Sequence, residues 1–473
     1  MKINKQHKQN LLQGGVYLAI KQILITALSL VSVLVVARIL GPKDYGIVSV
    51  VLGLYYFFSW LGKFGLPTYL IRQPDLQENT FQQILAFFNT TGLATCLLCW
   101  LAAPAFGWWT GHSEVTAIIR WLPIPLWLEA VASVSISRQE RDLGFAQIGV
   151  IETISQISNY IVTVPLVFMQ WSYWAPIAGL VTQAAVLAIA ARRLHPIPFQ
   201  WRWNWSAVRP ALRYGLAFAS ADWIASLRVL TVPLIVTRFA GLEAAGIISI
   251  AIRLVEQVST LRLVLRRMSI SIMSKLVDDA YSIKKAISYG MAYQAIIVGF
   301  TCAIFACAAG WIVPLVFGSE WLLSSKIFPL IAFAMMVKST FDLHNSALNA
   351  IGKNLEVAWR NFVYIVLLWL GCILLIPSFG LWGYGIAEIL ALPSYWLVHR
   401  ALTTLYGSID YSQALWFTAA AVPALVAGNY LPIALSFGVL VGSYSTLLFI
   451  PSTRKVILEI WSVIRSRGAK AEA

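Results

Sequence analysis

The chain has 473 residues, of which 59% are hydrophobic and 12% are charged, with a formal net charge of +15 and a mean hydropathy of +0.74. A soluble protein carries about 25% charged residues, so this composition excludes a soluble enzyme or any large soluble domain. The apolar runs are continuous rather than alternating, which argues against a transmembrane β-barrel and predicts an all-α polytopic membrane protein.

Fourteen apolar stretches are long enough to cross a bilayer as helices. We predict spans at 16–40, 46–71, 81–107, 114–136, 146–169, 173–192, 213–238, 244–270, 286–317, 325–350, 356–376, 380–400, 412–428 and 431–450. The first stretch follows Lys2, Lys5 and Lys8, but it is too long for a signal peptide, so we expect it to be retained.

The basic residues are distributed unevenly between the two sides of these spans. If the N-terminus is cytoplasmic, most of the 35 Lys and Arg residues lie on the cytoplasmic side of the membrane. The Lys and Arg residues on the opposite, outer side are Arg38, Lys43, Arg238 and Lys326. This asymmetry follows the positive-inside rule and places both termini in the cytoplasm. The net charge therefore indicates topology first and attraction to anionic membrane lipid second, and we expect no nucleic-acid partner.

The sequence repeats itself half-way along. Residues 34–49 and 234–249 are identical at seven of sixteen positions without a gap. Six predicted spans separate the two copies, an even number, so the halves share one orientation and form a parallel repeat. We predict a six-helix lobe at 1–192, an interfacial cytoplasmic linker at 193–212, a second six-helix lobe at 213–405, two additional spans within 406–450 and a basic cytoplasmic tail at 451–473.

Two cations lie within the leading spans of the two halves, Lys21 in the first and Arg228 in the seventh. A charge inside the bilayer costs at least about 2.5–3.5 kcal/mol, so it usually faces a cavity or a partner. One hypothesis is a cationic cavity between the halves that accepts phosphate. The alternative is ion pairing between helices, with Asp222, Glu129, Glu152 or Glu388 as the partners.

Other charged residues extend this set. Arg253 can pair locally with Glu256, and Lys338 with Asp342, because each pair shares a helical face. An intramembrane carboxylate can also take up a proton or Na⁺. The candidate phosphate contacts are Lys21, Lys63, Arg228 and Arg253; the candidates for ion coupling are Glu129, Asp222 and Glu256.

Sequence signatures of catalysis are missing. The chain has no G-x-x-x-x-G-K-[ST] loop, H-E-x-x-H motif or G-x-S-x-G motif, so we expect no catalytic residues, no cofactor and no metal site. Cys96 and Cys99 have metal-like spacing, but no second Cys pair or His cluster accompanies them. We interpret them as packed apolar thiols.

Two segments near the N-terminus carry a family resemblance. The stretch ARILGPKDYG at 37–46, followed by GLPTYLIR at 65–72, resembles the "ARxLGPxxYG" turn and "GLxxxxIR" element of Wzx-type polysaccharide transporters. Arg141, Asp142, Leu143 and Phe145 resemble the family's loop before the fifth span, and the FGSEW stretch at 317–321 resembles its turn between the ninth and tenth spans.

The resemblance implies membership of the multidrug/oligosaccharidyl-lipid/polysaccharide exporter superfamily, with two six-span lobes around a central cavity and two further spans. It also implies movement of a lipid-linked oligosaccharide, usually on undecaprenyl pyrophosphate, across the inner membrane, alongside a polysaccharide polymerase and a chain-length regulator. Two alternatives stay open, namely a multidrug-type small-molecule antiporter of the same fold and a polymerase or ligase of the same pathway. A cavity dominated by acids and aromatics would favour the antiporter.

Overall fold

The structure is a computed structural model that describes residues 5–73, 76–198, 201, 203–276 and 279–458. Side chains are described from Leu28 onward, apart from 221–222, 264, 266–268 and 270–272 within these ranges. The described residues form helices and short connections, with no strand among them. The predicted all-α class is therefore confirmed.

Many of the helices are suited to a membrane. Among the described residues, nine helices are long and apolar enough to span a bilayer, or ten if the bent pair Ile433–Phe449 and Pro451–Leu458 forms one span. Two of the nine, Leu28–Gly62 and Trp223–Val258, each contain parts of two predicted spans. The chain is a multi-pass membrane protein, and the total of fourteen spans stays a prediction.

The chain divides into two compact units, Met1–Gly246 and Ile247–Ala473. The helices of the first unit are α1 (Lys5–Gly62), α2 (Leu66–Arg72), α3 (Glu78–Thr110), α4 (Ser113–Ile119), α5 (Pro123–Arg141), α6 (Phe145–Phe168), α7 (Trp174–Leu194), α8 (Trp205–Ser226) and the start of α9 (Thr237–Val258). Those of the second unit are the rest of α9, α10 (Leu261–Leu276), α11 (Ala280–Phe317), α12 (Leu322–Thr340), α13 (Asp342–Ala350), α14 (Asn354–Phe379), α15 (Leu381–Leu390), α16 (Trp396–Tyr406), α17 (Ser412–Tyr430) and α18 (Ile433–Ser445).

The sequence repeat has a counterpart in the backbone. Helix α1 is kinked at Gly41, where φ is 70° and ψ is 175°, and α9 is kinked at Gly241, where φ is 83° and ψ is 179°. Glycine adopts a positive φ readily, whereas a residue with a Cβ is strained there. The two copies therefore share a glycine kink at the same repeat position.

The segments after these two kinks touch each other within the first unit. A Cβ added to Gly46 would lie 1.8 Å from the carbonyl oxygen of Leu242, and a Cβ added to Gly246 would lie 2.1 Å from the carbonyl oxygen of Pro42. Small residues allow helix backbones to approach this closely in membranes. The contact is reciprocal, because Gly46 and Gly246, like Pro42 and Leu242, occupy equivalent repeat positions.

Two predicted continuous spans are interrupted. Within the predicted span 213–238, helix α8 ends at Ser226. The chain continues as a 3₁₀ turn at Leu227–Leu230 and a π-helical turn at Thr231–Val236. Pro233 lies in the π turn, where its missing N–H favours a wider hydrogen-bonding pattern. The predicted span 244–270 breaks between Val258 and Leu261, where the hydroxyls of the two intervening residues donate to backbone carbonyls.

The second unit packs around large side chains that are almost fully buried, including Trp321, Phe328 and Phe417. Helix α11 of this unit is capped at its N-terminus by Asp279, whose carboxylate accepts hydrogen bonds from the backbone amides of Tyr281 and Ser282. Hydrogen bonds from the hydroxyl and the amide of Ser282 lower the pKa of the Asp279 carboxyl, which stays charged as a helix N-cap.

Candidate functional site

The first unit contains an ion pair between two of the predicted site residues. Lys63 lies in the turn after α1, and its Nζ is 2.6 Å from Oε1 of Glu129 on α5. The other oxygen of Glu129 accepts hydrogen bonds from the Tyr55 hydroxyl at 2.6 Å and the Ser59 hydroxyl at 2.9 Å. Tyr55 and Ser59 are four apart on α1, so both present their hydroxyls on one face of the helix.

Both oxygens of Glu129 therefore have charged or hydroxyl donors, an arrangement that stabilises the ionised carboxylate. The pair is only partly shielded from solvent, because 26% of the Lys63 side chain and 22% of the Glu129 side chain remain exposed. The ion pair and its hydrogen bonds can therefore fix the positions of these side chains while both still face a cavity that a ligand can enter.

That space is a cavity of about 300 Å³ beside the ion pair. It is lined by Trp60, Lys63, Gly65, Pro67, Thr68, Glu129, Ser133, Ile136, Ser137, Glu140, Glu152, Leu187, Phe218 and Ala219, all of them in the first unit. The lining combines three carboxylates, one ammonium group, three hydroxyls and two aromatic rings. It can therefore offer hydrogen-bond donors, acceptors and flat apolar faces to one ligand.

Neighbouring side chains contact both aromatic residues of the cavity. The indole N–H of Trp223 donates to the backbone oxygen of Trp60 at 3.3 Å. The guanidinium of Arg72, at the end of α2, stacks over the ring of Phe218 at 4.8 Å from its centroid. This stacking places a second cation next to a residue of the cavity wall.

The structure places the other predicted site residues as follows. Arg228 is half-buried in the 3₁₀ turn that precedes the π turn, and Arg253 and Glu256 lie on α9 in the second unit, half-buried and exposed respectively. The side chains of Lys21 and Asp222 lie outside the described part of the structure. Lys63 and Glu129 are thus brought together, while the cationic cavity between the halves stays a prediction.

The second unit holds a more deeply buried ion pair. Lys338 on α12 pairs with Glu388 on α15, and Glu388 has no solvent exposure. The same carboxylate accepts hydrogen bonds from the hydroxyls of Tyr364 and, at 2.8 Å, Tyr384. Asp342, the expected local partner of Lys338, lies 3.8 Å from Arg262 on α10. Pairing between distant helices is therefore a feature of both units.

Trp60, Glu140 and Phe218 line the cavity but were not predicted from the sequence as members of a site. Glu140 lies near the end of α5, and Glu152, a predicted candidate partner for an intramembrane cation, lies on α6. A short connection joins these helices, so a hairpin would bring the two carboxylates to one end of the bundle. Within the described ranges, no group of three or more His, Cys, Asp or Glu residues is arranged to hold a metal ion.

Comparison with known proteins identifies the family. The sequence profile of the family described as "Polysaccharide biosynthesis protein" matches residues 35–326, more than half of the chain. The chain belongs to this family. The resemblance to Wzx-type polysaccharide transporters that the motifs indicated is thereby confirmed.

Two curated proteins resemble this member of the polysaccharide biosynthesis protein family over most of its length. The lipopolysaccharide biosynthesis protein WzxC of Escherichia coli (strain K12) is 22% identical over 361 residues, which cover 75% of this chain and 71% of WzxC. The succinoglycan biosynthesis transport protein ExoT of Rhizobium meliloti (strain 1021) is 21% identical, over 94% of this chain and 93% of ExoT.

Solved structures show the fold of this family member. The lipid II flippase MurJ, in an inward closed conformation, matches with a TM-score of 0.70 and 11% identity, over 91% of this chain and 97% of MurJ. An inward-facing multidrug resistance MATE family transporter of the MOP superfamily matches with a TM-score of 0.65 and 12% identity, over 82% of this chain and 96% of that transporter. The chain therefore has the fold shared by these membrane transporters.

Proposed function

We propose that this protein is a flippase that moves a lipid-linked oligosaccharide, carried on undecaprenyl pyrophosphate, across the inner membrane for surface polysaccharide biosynthesis. The family match over residues 35–326 carries this proposal. The protein makes and breaks no covalent bond of its substrate, and it needs no cofactor. In this proposal Lys21, Arg228 and Arg253 contact the phosphates, and Glu129, Asp222 or Glu256 couples transport to an ion gradient.

Alternating access is the proposed mechanism, and the first unit contains two features that suit it. The reciprocal contact at Gly46 and Gly246 lies on the predicted outer side, and the cavity beside Lys63 lies on the predicted cytoplasmic side. Gly46 on α1 and Lys63, directly after the end of α1, are about 25 Å apart at 1.5 Å per residue, close to the thickness of the hydrocarbon core. The substrate would enter from the cytoplasmic side at the cavity, and it would leave on the outer side when the contact at Gly46 and Gly246 opens.

The proposed setting follows from the charge distribution and from the family. Both termini lie in the cytoplasm, and the protein resides in the inner membrane among its lipid-linked substrates. The oligosaccharide it delivers to the outer face would be extended by a polysaccharide polymerase under a chain-length regulator. These proteins would act after the flippase, so their substrate depends on its transport.

One observation favours a second candidate function, a multidrug-type antiporter of cationic small molecules. The cavity of the first unit holds three carboxylates and two exposed aromatic rings against a single lysine. Acids and aromatic faces attract organic cations. However, Glu129 is neutralised by Lys63, and Arg72 stacks on Phe218 beside the same cavity. These two cations reduce the attraction and leave the flippase as the first candidate.

Deletion of the chain in its host tests the proposal. We expect one surface polysaccharide to be lost and complete lipid-linked repeat units to accumulate on the cytoplasmic face, with linkages and length unchanged. Complementation with Lys21→Ala or Arg228→Ala should then restore little polysaccharide. Unchanged polysaccharide together with new sensitivity to cationic drugs would instead support the antiporter. Accumulation of single repeat units on the outer face, still on their lipid, would point to a polymerase.

A further inference from the structure

We propose that the cavity beside Lys63 binds one uncharged pyranose ring of the transported saccharide. This inference rests on the proposed flippase function and specifies which part of the substrate the first unit recognises. With a volume of about 300 Å³, the cavity lies at the small end of the range for ligand sites, roughly 300–1,000 Å³. It suits one sugar ring with its substituents rather than a chain of them.

The polar groups of the cavity match the hydroxyls of a sugar. The carboxylates of Glu140 and Glu152 accept hydrogen bonds, and the ammonium group of Lys63 donates them. A sugar hydroxyl donates one hydrogen bond and accepts others, so it can use both kinds of group at once. Hydrogen bonds to charged partners are the stronger ones, which favours a ligand with several hydroxyls.

The aromatic groups of the cavity match the apolar C–H face of a sugar ring. Trp60 and Phe218 remain 60% and 42% exposed, although both line the cavity. A pyranose ring presents an apolar C–H face that can cover such rings and remove them from water. Trp60 is held by the hydrogen bond from Trp223 to its backbone, and Phe218 by the stacked guanidinium of Arg72. The ring of Phe218 is therefore positioned before the ligand arrives, and the backbone that carries Trp60 is fixed beside it.

The charges of the cavity argue against ionic occupants. A phosphate or pyrophosphate would meet the carboxylates of Glu140 and Glu152, and the only lysine of the cavity lining is already paired with Glu129. An organic cation would be attracted by these carboxylates, but Lys63 and Arg72 reduce that attraction. An uncharged ring is not subject to these opposing ionic interactions. The phosphates of the lipid carrier would therefore bind elsewhere, while the saccharide enters this cavity.

Saturation-transfer NMR on the full-length protein in nanodiscs tests this site. The probe is the reducing oligosaccharide that mild acid releases from the host's own lipid-linked intermediates. We expect saturation to reach one sugar ring preferentially. The signal should fall at least tenfold in Trp60→Leu and in Glu140→Gln and stay unchanged in Trp108→Leu, a matched control whose indole is 79% exposed outside the cavity. Melting temperatures of all variants show whether each one folds.

Three results would overturn the inference. The first is no saturation transfer from the wild-type protein to the oligosaccharide, and the second is an equal signal in Trp60→Leu, Glu140→Gln and Trp108→Leu. The third is displacement of the oligosaccharide by inorganic pyrophosphate or by tetraphenylphosphonium, which would assign the cavity to an anion or a cation. Flipping of the intact lipid-linked substrate by the same wild-type preparation in proteoliposomes separates the two proposals. If flipping persists with any of these results, the sugar site fails and the flippase function stands.

Discussion

At the scale of single residues, the two described lysine–glutamate pairs share one design. Glu129 accepts from Lys63 and two hydroxyls, and Glu388 accepts from Lys338 and two tyrosines. The attraction between two buried charges does not by itself offset their loss of hydration, and additional hydrogen bonds are needed. The hydroxyl donors supply these bonds in both units. The pairs differ in burial, since Glu388 is fully buried and Glu129 is not.

This difference predicts unequal effects of neutralising the carboxylate. Glu388→Gln should destabilise the protein by about 3–5 kcal/mol, because it leaves the Lys338 charge buried without its anionic partner. Glu129→Gln should cost less, about 1 kcal/mol, because solvent can screen the Lys63 charge. Thermal denaturation in detergent should therefore show a larger drop in melting temperature for Glu388→Gln.

A double variant and a surface variant control this comparison. Lys338→Met combined with Glu388→Gln removes both charges and should recover most of the lost stability. Glu320→Gln, at an exposed turn, should change stability by less than about 0.5 kcal/mol. Equal drops for Glu388→Gln and Glu129→Gln, or a double variant as unstable as Glu388→Gln alone, would refute the argument from burial.

The sequence identified these charges but could predict only part of their pairing. Lys63 and Glu129 stand out because each is charged within or beside an apolar span, yet they are 66 residues apart. Local spacing predicts partners three or four residues away on one helix. It offered Asp342 as a partner for Lys338, whereas the structure pairs Lys338 with Glu388, 50 residues away. Partners on other helices depend on packing, which spacing does not specify.

At the scale of elements, the glycine kinks were visible in the sequence as the strongest part of the repeat. Gly41 and Gly241, and then Gly46 and Gly246, recur at one offset, and the structure gives each pair the same role. The breaks at 227–236 and at 258–261 were not predicted. The first lies in a continuous apolar stretch, and the second lies in a polar stretch that the predicted span 244–270 included. Pro233 and the hydroxyls of Ser259 and Thr260 shape the backbone locally, an effect that hydropathy alone does not predict.

The reciprocal contact predicts that even one methyl group at Gly46 is harmful. In Gly46→Ala the new Cβ would overlap the carbonyl oxygen of Leu242, a backbone atom that cannot rotate away. The two segments must separate, at a cost of about 1–3 kcal/mol, as in other overpacked sites. We expect at least a tenfold loss of surface polysaccharide in complemented cells, with Gly246→Ala giving the same loss because its Cβ would meet Pro42.

Gly62→Ala on the same helix is the matched control. A Cβ at Gly62 would have no atom within 4 Å, and alanine favours a helix over glycine by about 1 kcal/mol. This variant should therefore keep full activity and an equal or higher melting temperature. Full activity in Gly46→Ala, with protein levels matched by immunoblot, would show that the close approach is dispensable for transport.

At the scale of the whole molecule, composition was sufficient for the class and the motifs for the family, but neither specified the number of spans. The element Leu28–Gly62 contains parts of two predicted spans on either side of the Gly41 kink, and the bent pair Ile433–Phe449 and Pro451–Leu458 counts as one span or none. Topology can be tested independently of that number, because the distribution of Lys and Arg predicts which side each connection faces.

Labelling of single cysteines in a background without Cys96, Cys99, Cys302, Cys307 and Cys372 provides this test. Lys43→Cys lies in the segment after the Gly41 kink and is predicted outside, whereas Lys353→Cys follows α13 and is predicted inside; both side chains are exposed. A membrane-impermeant maleimide applied to spheroplasts should therefore label Lys43→Cys at once and Lys353→Cys only after permeabilisation. Labelling of Lys353→Cys in sealed spheroplasts would show that the second half has the opposite orientation to the predicted one. It would also contradict the parallel repeat, because that relation requires both halves to cross the membrane in the same sense.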